Sequence, residues 1–232
     1  MPEVIINGAE GRLEGRYTLA KGERRPIVLL LHPHPQHGGT MHNKVIYALN
    51  QIFVRQGFCT LRFNFRGVGR SQGSFGRGEG ELTDAASALD WLQSYNPNAG
   101  QCWIAGFSFG AWIGMQLLMR RPEIDRFVSV APPANIYDFG FLAPCPSSGL
   151  IVQGDKDDVV PEESVKKLAE KLGKQRDIEV DYRVIKGANH FFTERMDKLD
   201  SVAEEYVETA MAPPKPAKPA AREKEKEKTA AK

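Results

Sequence analysis

The chain has 232 residues, 41% apolar and 26% charged, with a formal net charge of +2, the balance of an ordinary globular protein with room for one substantial α/β domain. That charge gives no reason to expect a nucleic-acid or membrane partner. No apolar run approaches the roughly 20 residues that span a bilayer, and three cysteines without paired spacing argue against a disulfide framework or a cysteine-rich zinc site.

The opening MPEVIING lacks a basic-then-apolar leader, so a cytoplasmic enzyme or binding protein is expected. Gly8, Gly11 and Gly15 in an alternating first twenty residues predict an edge hairpin. PIVLLLHPH (26–34) is a continuous apolar run ended by prolines, as in a strand buried on both faces. MHNKVIYALNQIFVRQG reads as an amphipathic helix closed by Gly57. FCTLRFNF is a further strand, followed by the glycine-rich RGVGRSQGSFGRGEG. ELTDAASALDWLQSY is helical, CWIAGFS a strand, and FGAWIGMQLLMRR a helix directly behind it. RFVSVAPP and GLIVQGD are two more buried strands, and PEESVKKLAEKLG a helix with Pro161 at its first position. IEVDYRVIKG is the last strand and FTERMDKLDSVAEEYVETAM the last helix.

Strand and helix alternate through residues 1–211, which predicts one α/β domain: a mostly parallel twisted sheet with helices on both faces. Residues 212–232 carry seven Lys/Arg against three Glu and no apolar side chain larger than alanine. Such a tail cannot bury enough surface to offset its ordering entropy and is expected to be disordered. Without it the chain is mildly acidic.

In parallel sheets, reactive groups collect at the carboxyl ends of strands, and three such ends carry unusual residues. GFSFG (106–110) matches G-x-S-x-G, and Ser108 falls where a strand gives way to a helix, the context of a nucleophile elbow. Glycines are needed there because a Cβ at 106 or 110 would collide in so sharp a turn, and the Phe109 N–H at the helix start would face a developing oxyanion. A serine hydroxyl needs a base, and the base an orienting carboxylate. GLIVQGDKDDVVPEE offers Asp155, Asp157 and Asp158. Asp157 has the spacing of the acid in α/β hydrolases, Asp155 suits a turn, and Asp158 suits a helix cap. His190, in VIKGANHFFTER, follows the last strand. The order Ser108…Asp157…His190 is that of an α/β hydrolase.

The other four histidines, His32, His34, His37 and His42, crowd into HPHPQHGGTMHNK. The spacing approaches the HxHxDH of zinc hydrolases, but Gln36 replaces the aspartate and too few later histidines remain for a two-metal site. No metal and no cofactor are expected. Pro33 and Pro35 have no N–H, so between them only His34 can offer a backbone donor to an oxyanion. His32 reads as a packed or hydrogen-bonded loop residue, and His37 and His42 as lining the mouth of the site or lying on the surface.

On these residues the chain resembles the small serine α/β hydrolases of the dienelactone-hydrolase-like branch, in particular bacterial hydrolases of unassigned substrate whose first loop reads much like HPHPQHGGTMHNKV. The resemblance covers roughly residues 1–210 and includes the turn NFRGVGRSQG. Dienelactone hydrolases proper use a cysteine nucleophile, whereas this elbow carries Ser108, so lactone specificity does not carry over. It implies an α/β-hydrolase fold, and the short connection between RFVSVA and GLIVQG leaves no room for a cap domain. Phe107, Tyr137 and Phe191 are candidates for an apolar substrate pocket, with Phe107 and Phe192 equally readable as core.

The function expected is a serine hydrolase that cleaves a small-molecule carboxylic ester or thioester through an acyl-enzyme on Ser108. An amide- or peptide-cleaving hydrolase and a non-catalytic binding protein on the same fold are the alternatives. The oligomeric state is not legible.

Overall fold

The computed structural model describes residues 2–22 and 24–212; the expected disordered tail lies outside them from residue 213 onward. β1 (Glu3–Gly8) and β2 (Gly11–Thr18) form the edge hairpin, and β3 (Ile27–Leu31) leads through a 3₁₀ turn at Pro35–His37 into α1 (Lys44–Arg55). There follow β4 (Cys59–Phe63), α2 (Glu79–Ser94), β5 (Cys102–Phe107), α3 (Phe109–Leu118), β6 (Arg126–Val130), β7 (Ser148–Gly154), α4 (Glu162–Gly173), β8 (Val180–Ile185) and α5 (Met196–Met211). The strands form one sheet in the order β1-β2-β4-β3-β5-β6-β7-β8. Only the β1–β2 and β2–β4 pairs are antiparallel. This is the α/β-hydrolase fold.

Alternation along each strand splits the core. Ile27, Leu29, Leu31, Ile104, Phe127 and Ile151 face the layer of α2, α3 and α4. Their neighbours Val28, Leu30, Ala105, Val128, Leu150 and Val152 face α1 and α5. A strand covered on both sides has no polar face, which is why these runs read as continuous hydrophobe. Between β6 and β7 the chain passes through turns with no helix, so among the described residues this connection places no cap on the carboxyl edge of the sheet. No helix among the described residues is long and apolar enough to cross a membrane.

Three local expectations need correction. The last helix begins at Met196, not at Phe192. Phe192 is fully buried at φ 54°, and Asn189 Oδ1 accepts the Thr193 N–H (3.1 Å), so a turn intervenes. Pro161 is the N-cap of α4 rather than its first residue, and no side chain caps that helix. The expected cap from Asp158 is therefore absent, and that residue points to solvent.

Candidate active site

Ser108 stands between β5 and α3 at φ 52°, ψ −120°, a strained conformation for a residue with a Cβ. The flanking glycines permit it. A Cβ on Gly106 would lie 2.5 Å from the Gly110 carbonyl carbon, and one on Gly110 would lie 2.2 Å from the Leu31 oxygen. The Ser108 N–H donates to Val130 O (2.8 Å) and its carbonyl accepts the Ala111 N–H (2.9 Å). Both bonds pin the turn to β6 and to the start of α3.

The distant carboxylate and imidazole converge on this serine. His190 Nε2 lies 3.1 Å from Ser108 Oγ, and its Nδ1 lies 2.7 Å from Asp157 Oδ2. With Nδ1–H donating to the carboxylate, Nε2 carries a lone pair aimed at the hydroxyl. The Asp157 carboxylate is fully buried. Its Oδ1 accepts the N–H groups of Val159 (2.9 Å) and Val160 (2.7 Å), so the loop after β7 wraps around the charge. Asp155 instead accepts the Gly187 N–H (2.6 Å) and ties the ends of β7 and β8 together.

One participant escaped the sequence reading. Gln153, fully buried in β7, donates from Nε2 to Asp157 Oδ2 (3.1 Å) and to Val160 O (2.7 Å). Those two bonds turn the amide N–H₂ toward the carboxylate, at the cost of an Oε1 buried without a hydrogen-bond partner among the described residues. The signal was present: GLIVQGD puts one amide inside an apolar strand.

The histidine loop follows β3, next to β5 in the sheet. His32 is fully buried. Its Nε2 accepts the Phe65 N–H (3.0 Å), so Nδ1 carries the proton and donates to Pro33 O (2.7 Å). Burial pushes this imidazole down to about 4. The N–H and C=O of a trans peptide point in opposite directions, so fixing the Pro33 oxygen also fixes the direction of the His34 N–H. Among the described residues, no acceptor takes the N–H of His34 or of Phe109. Gly39 folds so tightly that a Cβ there would sit 2.0 Å from Pro33 O. The His34 ring accepts the Gln36 N–H at Nδ1 (3.2 Å) and packs on Phe109; burial, then the neighbouring His37, lowers its pKa. His42 is exposed, with Nδ1 3.4 Å from an Arg62 nitrogen. No group of three or more His, Cys, Asp or Glu suited to a metal ion occurs among the described residues, and backbone groups occupy both ring nitrogens of His32.

A cavity of about 410 Å³ opens over Ser108, lined among others by His34, His37, Phe109, Tyr137, His190 and Phe191. Tyr137 and Phe191 line this cavity. Phe107 does not: it is fully buried and packs beneath His190 (5.2 Å between rings), because its position at the end of β5 points it toward the α1/α5 layer.

Comparison with known proteins agrees with this architecture. The family model described as X-Pro dipeptidyl-peptidase (S15 family) matches residues 19–224. A protein of unknown function from Agrobacterium tumefaciens, described as a candidate α/β hydrolase, superposes with a TM-score of 0.89 at 58% identity, covering 93% of this chain and 100% of that one. An α/β serine hydrolase homologue from Coxiella burnetii gives 0.80 at 39% identity, over 88% and 96% of the two chains. An uncharacterized Rickettsia prowazekii protein, RP471, is 52% identical over 213 residues, 90% of each chain.

Proposed function

We propose that this serine α/β hydrolase, which belongs to the X-Pro dipeptidyl-peptidase (S15) family, cleaves carboxylic esters or thioesters through an acyl-enzyme on Ser108. The observation that carries the assignment is the chain of contacts Ser108–His190–Asp157, at 3.1 and 2.7 Å. Ser108 Oγ attacks the carbonyl carbon as His190 Nε2 takes its proton, and Asp157 stabilises the imidazolium that forms. The carbonyl oxygen, now anionic, receives the N–H groups of His34 and Phe109, with the N-terminus of α3 adding a favourable dipole. Collapse of the tetrahedral adduct expels the alcohol or thiol, which leaves with the proton held on His190. Water then repeats the sequence in reverse roles and frees the acid.

The family match favours a second reading, cleavage of a peptide bond after proline. Against it stands the chemistry of the cavity wall. Release of an N-terminal dipeptide calls for a partner to the substrate's ammonium, since a charge leaving water must be paired. Among the described residues no Asp, Glu, Lys or Arg lines the cavity, and the Asp157 carboxylate is wholly shielded behind His190. Placement in the dienelactone-hydrolase-like branch belongs to the same proposal and rests on residues 32–45. Action in the cytoplasm does too, supported by three buried, unpaired cysteines.

The test is a panel of p-nitrophenyl esters, acyl thioesters and an Ala-Pro anilide. Ester or thioester kcat/KM is expected to exceed the anilide value by at least about 100-fold, about 2.7 kcal/mol of transition-state energy. A preference for the anilide would reverse the assignment.

A further inference from the structure

We infer that the cavity continues onto an apolar rim built to seat an extended hydrocarbon chain, so that the ester taken is a lipid-like one with a long alkyl substituent. This inference rests on the serine-hydrolase reading above and names its substrate class. Among the described residues, eight large apolar side chains are exposed, and three of them, Ile136 (58%), Val159 (42%) and Phe191 (52%), line this one cavity. They arrive from three separate connections, β6–β7, β7–α4 and β8–α5, so their meeting is a property of the site rather than of one apolar segment.

The rim is braced. Asn135 Nδ2 donates to Val159 O (3.0 Å) and locks the first two connections together. Phe191 sets its ring edge-on to His190 at 5.2 Å. Inward from the rim the surface continues through Tyr137, held flat against Trp112 (4.2 Å, 15° between planes), and ends at Phe109 beside Ser108. Among the described residues no Asp, Glu, Lys or Arg interrupts this path. Apolar surface left in water is unfavourable, and among the described residues no helix or strand covers this edge. An acetyl group reaches only the inner wall; a long chain also covers the rim.

The alkyl chain can belong to the acyl part or to the leaving alcohol, and two substrate series separate these sources. One is p-nitrophenyl esters from acetate to decanoate, the other acetate esters of alkanols from ethanol to decanol, both below the micellar concentration. In one series, kcat/KM is expected to rise by about two- to fourfold per methylene while the chain lies on the rim. The double variant Ile136→Ser/Val159→Ser, at two exposed positions, is expected to collapse the ratio of the longest to the shortest substrate in that series. A flat profile in both series, or a ratio unchanged in the variant, overturns the inference. Fluorophosphonate labelling of the same preparation separates the two failures. Labelled protein with flat profiles leaves the serine-hydrolase reading standing, whereas unlabelled protein removes both.

Discussion

At the scale of single residues, the proposal rests on a few groups whose orientation is enforced by neighbours that never touch substrate. His34 offers the clearest separation of backbone from side chain. Its φ of −52° is compatible with proline, whose ring fixes φ near −65° and removes the N–H. His34→Ala, which keeps the donor, is expected to retain kcat within about tenfold, while His34→Pro is expected to lose about 10²–10³-fold, the usual cost of one oxyanion donor. Equal losses in steady-state assays of the two would return the role to the imidazole. Gln153 is a positioning residue acting through Asp157. Removing a hydrogen bond to a charged group costs about 1.5–3 kcal/mol, so Gln153→Leu is expected to lower kcat about 10- to 100-fold with KM nearly unchanged. A change confined to KM would contradict that role.

At the scale of elements, the seam between the end of β3 and the end of β4 holds the oxyanion loop through one neutral imidazole. Depressed from its ordinary 6.5 to about 4 in the folded protein by burial, His32 binds a proton more readily when the chain is unfolded. Its contribution to stability is therefore full above pH 6.5 and is lost as pH falls toward 4, by about 3 kcal/mol at most. Urea denaturation at pH 7 and pH 4.5 is expected to show this loss in the wild type and a much smaller one in His32→Asn; the same slope in both would refute it. What sequence reveals about this region follows from the range of the interactions. Ser108 and its glycines were legible because a tight turn is a local steric event. His32 was readable as packed, but its partner Phe65 lies just past the end of β4, distant in sequence, so its hold on the Pro33–His34 peptide was not. Phe107 reads equally as pocket or core until the strand's register decides which face it takes, and Gln153 reads as part of an apolar run because its partner lies four residues on, around a loop. FTER continues into the helical pattern that follows and so reads as part of α5 in sequence, while Phe192 is drawn into the core at positive φ and the helix starts at Met196.

At the scale of the whole molecule, a sheet sealed on both faces leaves its carboxyl edge as the place where chemistry can meet solvent. The rest of the interior is inert by burial. Cys102, pushed up to about 12 chiefly by desolvation, lies inside β5 together with the core, and Cys59 and Cys145 are also buried and free. The three thiols are expected to resist an aromatic disulfide reagent in the native state and to react together only as the protein unfolds. Fast reaction of any one in native buffer would show that the core is open there. The central claim, that this edge carries an activated serine at position 108, is tested most directly by mass spectrometry after treatment with a fluorophosphonate. The account expects a single adduct, mapped to the peptide containing Ser108 and absent from Ser108→Ala, whose ester hydrolysis also falls to background. An adduct at another residue, or undiminished hydrolysis by Ser108→Ala, would contradict it.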